Sequence, residues 1–234
     1  MGLGWAECDI FKFMRKEPLV IYVIYHIFTR SFADFQIFNE NSGFFRMQQL
    51  IKYYKVDNTA KFSDFISFKI VQKEGFNNVL EAISKDKDKF VQIIAYCIMP
   101  THLHFVLKQL IKNGIAKYMK DILNSYTRYF NVKHQRKGPL WESRFKSVLV
   151  DSDEQLLHLT RYIHLNPTTA KLIDRPEKWD FSSYKEFLNK TVNPESICKF
   201  DDILEIKPLS YRKFVNDRIS YQRELAKIKD LIIE

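Results

Sequence analysis

Runs of apolar residues along the chain alternate between two periods. Leu19 to Thr29 (LVIYVIYHIFT) is β-branched or aromatic at nearly every position, which predicts a buried strand. Ser31 to Asn41 has no such pattern and predicts a loop. Phe44, Met47, Leu50, Ile51 and Tyr54 recur at helical intervals. Phe62 to Val71 fits either period, and Asn77 to Ile83 predicts a short helix. Phe90 to Met99 and Leu103 to Lys108 predict a hairpin turning at Met99-Pro100-Thr101. Ile111 to His134 is helical in pattern and is stopped by Gly138-Pro139. Phe145 to Val150 predicts a strand. Asp151 to Glu154 supplies a helix cap and first-turn carboxylates for a helix from about Glu154 to Asn166, ending before Pro167. Phe181 to Tyr184 opens another short helix. Beyond Glu195, Ile203 to Ile206 and Tyr211 to Ile233 are amphipathic. Few strands, short turns and long returning helices predict an α+β fold: a mainly antiparallel sheet covered by helices on at least one face, with a C-terminal helical extension.

Composition narrows the class. In 234 residues, 46% hydrophobic content suffices for a packed core, and three scattered cysteines (Cys8, Cys97, Cys198) give neither a disulfide framework nor zinc-ligand spacing. A reducing, cytoplasmic setting is expected. Charged residues interrupt the first twenty positions, so no signal peptide is read there. Phe90 to Leu107 lacks formal charge for 18 residues, but Pro100, His102 and His104 favour a hairpin over a membrane span. The net charge of +9 favours a polyanionic partner.

That charge is localised. Lys117 to Lys146 holds eight basic and two acidic residues, with Tyr126, Tyr129, Phe130, Trp141 and Phe145 interleaved. Cations neutralise phosphates and aromatic faces stack on unpaired bases, so Arg128, Lys133, Arg136, Lys137, Trp141, Arg144 and Lys146 are candidate nucleic-acid contacts. The alternative is a solvated helix face over core aromatics. From Glu195 to Glu234 eight basic residues balance eight acidic ones, a pattern for packing or a partner helix.

Two constellations could carry chemistry. On a strand, residues i and i+2 share a face, so His102 and His104 project together while Leu103 turns to the core. Paired imidazoles are a platform for a divalent metal, or simply two polar residues on a half-exposed strand. On the helix after Glu154, His158, Tyr162 and Asn166 form one stripe at i, i+4 and i+8. A helical tyrosine is most often amphipathic packing.

Taken together, these segments resemble the single-tyrosine HUH transposases, in particular the branch of REP-associated tyrosine transposases. The resemblance is carried by Tyr25-His26 with Arg30, by Ala95 to Leu107, by Asn124 to Pro167 and by Trp179 to Leu188, and covers Leu19 to Leu188. It implies a ferredoxin/RRM-like catalytic domain over 1–188 and a helical extension over 189–234. It implies Tyr162 as nucleophile and His102, His104 and Asn166 as ligands of a divalent metal, Mg²⁺ or Mn²⁺. The implied partner is single-stranded DNA with hairpins, either REP-like or at element ends, with no membrane and with a homodimer common among relatives. Thr101 stands where the family commonly has Asn, and Ser143 where it often has Gly. Residues 57–88 match poorly. Tyr126 and Tyr129 are rival tyrosines, read as packing or DNA contacts. The expected activity is cleavage and rejoining of hairpin-flanked single strands through a phosphotyrosine intermediate. A catalytically retired nucleic-acid binder of the same fold, and a metal-dependent hydrolase using water, stay open as alternatives.

Overall fold

The computed structural model describes residues 18–188 and 196–224. Among these, four strands form one antiparallel sheet: β1 (Ile24–Arg30), β2 (Val91–Ile98), β3 (His102–Gln109) and β4 (Lys146–Val150), in the order β2-β3-β1-β4. The helices are α1 (Asn41–Tyr53), α2 (Phe62–Ser67), α3 (Lys69–Glu74), α4 (Phe76–Ser84), α5 (Gly114–Lys133), α6 (Asp153–Thr169), α7 (Tyr184–Leu188) and α8 (Pro208–Asn216). The expected α+β class, with helices on an antiparallel sheet, is the observed one.

Period-2 alternation splits the sheet into two faces. Tyr25, Ile27, Leu103, Phe105 and Leu107 join the core beneath α1 and α5. Ile94, Ala95, Cys97, Met99 and Val106 face the second core, built with α6, α7 and α8. An irregularity between Ile93 and Ala95 lets Ile94 and Ala95 both serve the second core. Helices therefore cover both faces. The first core is anchored by two tyrosines of α5, whose hydroxyls donate to main-chain carbonyls of Ile51 (Tyr118, 3.0 Å) and Ile37 (Tyr126, 3.1 Å).

Several boundaries move for physical reasons. The first strand begins at Ile24 rather than Leu19, because its ladder with β3 starts at the Ile24–Lys108 pair and its outer partner β4 ends opposite Ile24. The chain turns away through Tyr22, at φ 65°, whose N–H donates to the Gln109 carbonyl. Helix α5 starts at Gly114, where an added Cβ would lie 2.3 Å from the Phe90 carbonyl oxygen, so only glycine permits this approach. Helix α6 does not stop before Pro167 but runs through it to Thr169. One intrahelical bond is lost there; burial of Pro167 and Thr168 and the Thr168 Oγ1 bond to the Leu165 carbonyl hold the last turn. The ambiguous segment after Phe62 is two short helices that break at Phe68, and their Phe62 and Phe65 pack with Tyr53.

The uncharged stretch Phe90 to Leu107 is the β2–β3 hairpin, and no described helix is long and apolar enough to cross a membrane. At the β2 edge, Ile98 N–H donates to Phe181 O and Ser183 N–H to Tyr96 O, so the segment before α7 covers that edge. In the tail, Phe200, Leu204, Tyr211 and Val215 are buried in the second core. Ile203 to Ile206 is turn and coil, and the helix expected over Tyr211 to Ile233 appears as α8 followed by a break at Asp217-Arg218. Positions beyond 224, like Cys8, lie outside the described residues.

Candidate active site

The second face of the sheet carries polar side chains where β1 and β3 run side by side. His102 and His104 project from β3, and Leu103 between them is fully buried in the opposite core. Their rings lie 5.0 Å apart, centroid to centroid, and perpendicular. The β1–β3 register sets Phe28 opposite His104 and His26 one pair further along, which makes His26 and His104 diagonal neighbours on this face. His26 Nε2 and His104 Nδ1 are 3.0 Å apart.

Ser152 caps α6 by accepting from Gln155 N–H, and the helix packs on β2 and β3. Tyr162 then meets the imidazoles: its ring centroid is 5.9 Å from His104 and 6.4 Å from His26, edge-on to both. Asn166, one turn later on the same stripe, is buried, and its Nδ2 makes no hydrogen bond. Sequence separations of 58 to 136 residues are thus closed by strand register and one helix.

Burial dominates the electrostatics. It lowers His26 and His102 to about 4, with Arg30 adding to the effect at His102. His104 is pushed well below the ordinary histidine value by burial and then by its two histidine neighbours. All three imidazoles are therefore neutral near pH 7, the form that offers a lone pair. Tyr162 keeps 43% of its surface exposed, yet partial desolvation among its neighbours raises its hydroxyl above the ordinary phenol value. A phenol so placed needs a cation or a base to ionise at neutral pH.

The donor set fits a divalent ion. Thr101 Oγ1 sits 2.9 Å from His102 Nδ1, and His26 occupies His104 Nδ1. Neither Nε2 makes a hydrogen bond among the described residues, and the Asn166 amide would meet a cation through its oxygen; its orphaned Nδ2 is a donor and calls for an incoming acceptor such as a phosphate oxygen. No cluster of three or more His, Cys, Asp or Glu side chains suited to a metal occurs among the described residues. Two imidazoles plus an amide is a weaker, exchangeable set.

The structure separates the basic candidates. Arg128, Lys137 and Arg144 are exposed. Lys133 is bound to Glu40 (2.5 Å) and Ser42, and Arg136 to Asn131 and the Pro139 carbonyl. Lys146 opens β4 opposite Phe28. Trp141 is not placed to stack on a base: it is buried among Phe38 and Tyr126, and its Nε1 donates to the Leu123 carbonyl. The loop around it bonds to β1, with Glu142 N–H donating to the Arg30 carbonyl, so Arg144 and Lys146 share the His102 end of the sheet. Tyr126 is a core residue. Exposed His158 pairs with Arg161 (2.8 Å), and His164 is buried behind α6. The contact of His26 with His104 carried no local signal, because it arises from register across 78 residues.

Comparison with known proteins agrees with this geometry. The model of the family described as "Transposase IS200 like" matches residues 45–166, more than half of the chain, including His102, His104, Tyr162 and Asn166. A Haemophilus influenzae protein named as a REP-associated tyrosine transposase is 28% identical over 115 residues, which cover 44% of this chain and 65% of that protein. The chain thus spans just under two thirds of that relative. A solved REP-associated tyrosine transposase bound to a REP hairpin superposes with a TM-score of 0.52 at 13% identity, over 82% of this chain and 97% of that chain. At that identity the likeness is one of fold.

Proposed function

The chain belongs to the IS200-like transposase family, and on that premise we propose that it cleaves and rejoins hairpin-flanked single-stranded DNA with Tyr162 as the nucleophile. The observation that carries this reading is the convergence of the Tyr162 ring on His104 and His26, beside His102.

The Tyr162 oxygen attacks the scissile phosphorus as a phenolate. A Tyr–O–P bond forms, the bond from phosphorus to the 3′ oxygen breaks, and that oxygen leaves as a 3′-hydroxyl after taking a proton. The bond energy stays in the phosphotyrosine, so another 3′-hydroxyl can attack it and restore a phosphodiester. His102, His104 and Asn166 would hold Mg²⁺ or Mn²⁺, which supplies charge neutralisation at the scissile phosphate. Because its surroundings raise the Tyr162 phenol, nearby positive charge has a specific task here: to bring the phenolate within reach at neutral pH.

DNA reaches the site as a single strand, since an intact duplex hinders in-line attack. Arg144 and Lys146 lie at the end of the sheet nearest His102 and engage the backbone there, and Arg128 and Lys137 extend the basic surface. The solved neighbour's REP hairpin supports a hairpin as the adjoining element. Residues 1–188 form the catalytic domain on this reading, and 189–234 an extension whose Phe200, Leu204, Tyr211 and Val215 are buried in the second core.

The test uses the full chain, labelled single-stranded DNA bearing a hairpin, and Mg²⁺ or Mn²⁺. A covalent adduct that survives denaturing gels, and that Tyr162→Phe abolishes, is the expected result. Free cleavage products without an adduct identify a hydrolase instead. Salt-sensitive binding with neither adduct nor cleavage identifies a retired binder.

A further inference from the structure

His26 is neither among the proposed ligands nor within the stretch matched by the family model. It nevertheless meets the proposed ligand His104 directly, 3.0 Å from its Nε2 to His104 Nδ1, with the two rings stacked 5.2 Å apart at 19°. We infer that His26 is a positioning residue: it accepts the Nδ1 proton of His104 and thereby keeps the His104 Nε2 lone pair available for a cation. This rests on the reading of His102, His104 and Asn166 as a divalent-ion site.

The argument is one of proton counting. Two neutral imidazoles at hydrogen-bond distance share a single proton between the facing nitrogens. If His104 donates, its proton is on Nδ1 and its Nε2 carries a lone pair. If His26 donates, the His104 proton must sit on Nε2, and the only nitrogen left to meet a metal is blocked. The same logic holds at His102, where Thr101 Oγ1 takes the Nδ1 position at 2.9 Å and leaves Nε2. Both histidines of the pair thus have a partner at Nδ1, one from the adjacent residue and one from the neighbouring strand. Metal-bound histidines are generally oriented by such a partner on the other ring nitrogen. Phe28, directly opposite His104 in the strand register, packs beside both rings, 5.0 Å from His26 and 6.1 Å from His104, which restricts the acceptor ring.

Two measurements on the full chain test this. Long-range ¹H–¹⁵N correlation spectra of the metal-free protein should put the His104 proton on Nδ1, and His26→Phe should move it toward Nε2. Calorimetric titration with Mn²⁺ should show a roughly 10- to 100-fold loss of affinity in His26→Phe. His26→Gln, which keeps an acceptor near the Nε2 position, should stay within a few-fold of the parent. His26→Leu replaces His26→Phe if the latter does not fold. A wild-type His104 proton on Nε2, or unchanged Mn²⁺ affinity in His26→Phe, overturns the inference. A slowed adduct rate at unchanged affinity overturns it too, since it makes His26 an acid–base group for Tyr162. If His102→Ala leaves Mn²⁺ binding unaltered, the ion-site reading itself fails, and the metal-free spectra still decide whether His26 fixes the proton.

Discussion

Helix α6 has two polar sides, and they differ in one respect. Toward α8 and the segment before α7 it presents His164, buried and fully bonded: Nδ1 lies 2.7 Å from the Tyr211 hydroxyl and Nε2 2.8 Å from Ser183 Oγ. The Tyr211 hydroxyl continues to Thr160 Oγ1 at 2.9 Å. Toward the sheet it presents Tyr162 and Asn166, where the amide has an orphaned nitrogen and the facing His102 and His104 each have one nitrogen without a bond among the described residues. Both histidine environments are dry, so burial alone does not distinguish them. Completeness does: a satisfied network fixes the helix, whereas an incomplete one is arranged for something that comes from outside.

Loss of function on the sheet side should be the largest effect. Tyr162→Phe should lower adduct formation by about a thousandfold or more while leaving hairpin binding and urea stability nearly unchanged. A variant that keeps cleaving would show that the open side is open for another reason.

On the tail side the effect should be on stability. Tyr211→Phe removes the hydroxyl that joins His164 to Thr160 and strands the buried His164 Nδ1, while Thr160 keeps its bond to the Leu157 carbonyl; the loss should cost about 1–3 kcal/mol in urea unfolding. If adduct formation fell and stability did not, α8 would be acting on the chemistry, and the division between the two sides would fail.

Acid acts on both sides, because burial lowers His26 and His102 as well, and a substitution at His164 isolates the tail side. Burial lowers His164 to about 3, against 6.5 for an exposed histidine. Between those values the unfolded chain holds a proton that the folded chain does not. Stability therefore rises with pH across the window, is complete above about 6.5 and is lost as pH falls toward 3. His164→Gln should flatten this dependence by about 1 kcal/mol per pH unit, read from urea midpoints at pH 4 to 7. An unchanged slope would mean that His164 is not the buried neutral group described.

The smallest effects should come from the surface. Arg144→Ala and Lys137→Ala should each reduce the salt dependence of single-strand binding by about 0.7 in log–log slope. Arg212→Ala, on the tail side and ion-paired with Glu177, should leave it unaltered. Equal slopes for all three would dissociate DNA binding from the sheet side of α6.

Much of this was legible in the chain because the relevant signals are local. The period-2 pattern put His102 and His104 on one face with Leu103 opposite, and the period-3.6 pattern put Tyr162 and Asn166 on one stripe, as the strand and helix now display. Trp141 misled because an aromatic among basic residues reads alike whether its ring meets a base or the core, and only the Leu123 carbonyl and Phe38 decide it. Pro167 misled because the cost of proline in a helix is local, while the burial that offsets it is not.

The sequence by itself determined the α+β class, the paired histidines, the stripe of Tyr162 and Asn166 and the +6 segment, since each depends on local pattern along the chain. Only the tertiary structure decided that β1 and β3 pair in the register that seats His26 against His104, that α6 lays Tyr162 over both, and that the tail bonds to the far side of the same helix. These are contacts across 47 to 136 residues, and no spacing along a chain encodes which strand edges meet or how they align. That choice is made when the two cores close together, because a one-residue slip of β1 would exchange Ile27 for His26 at the apolar face.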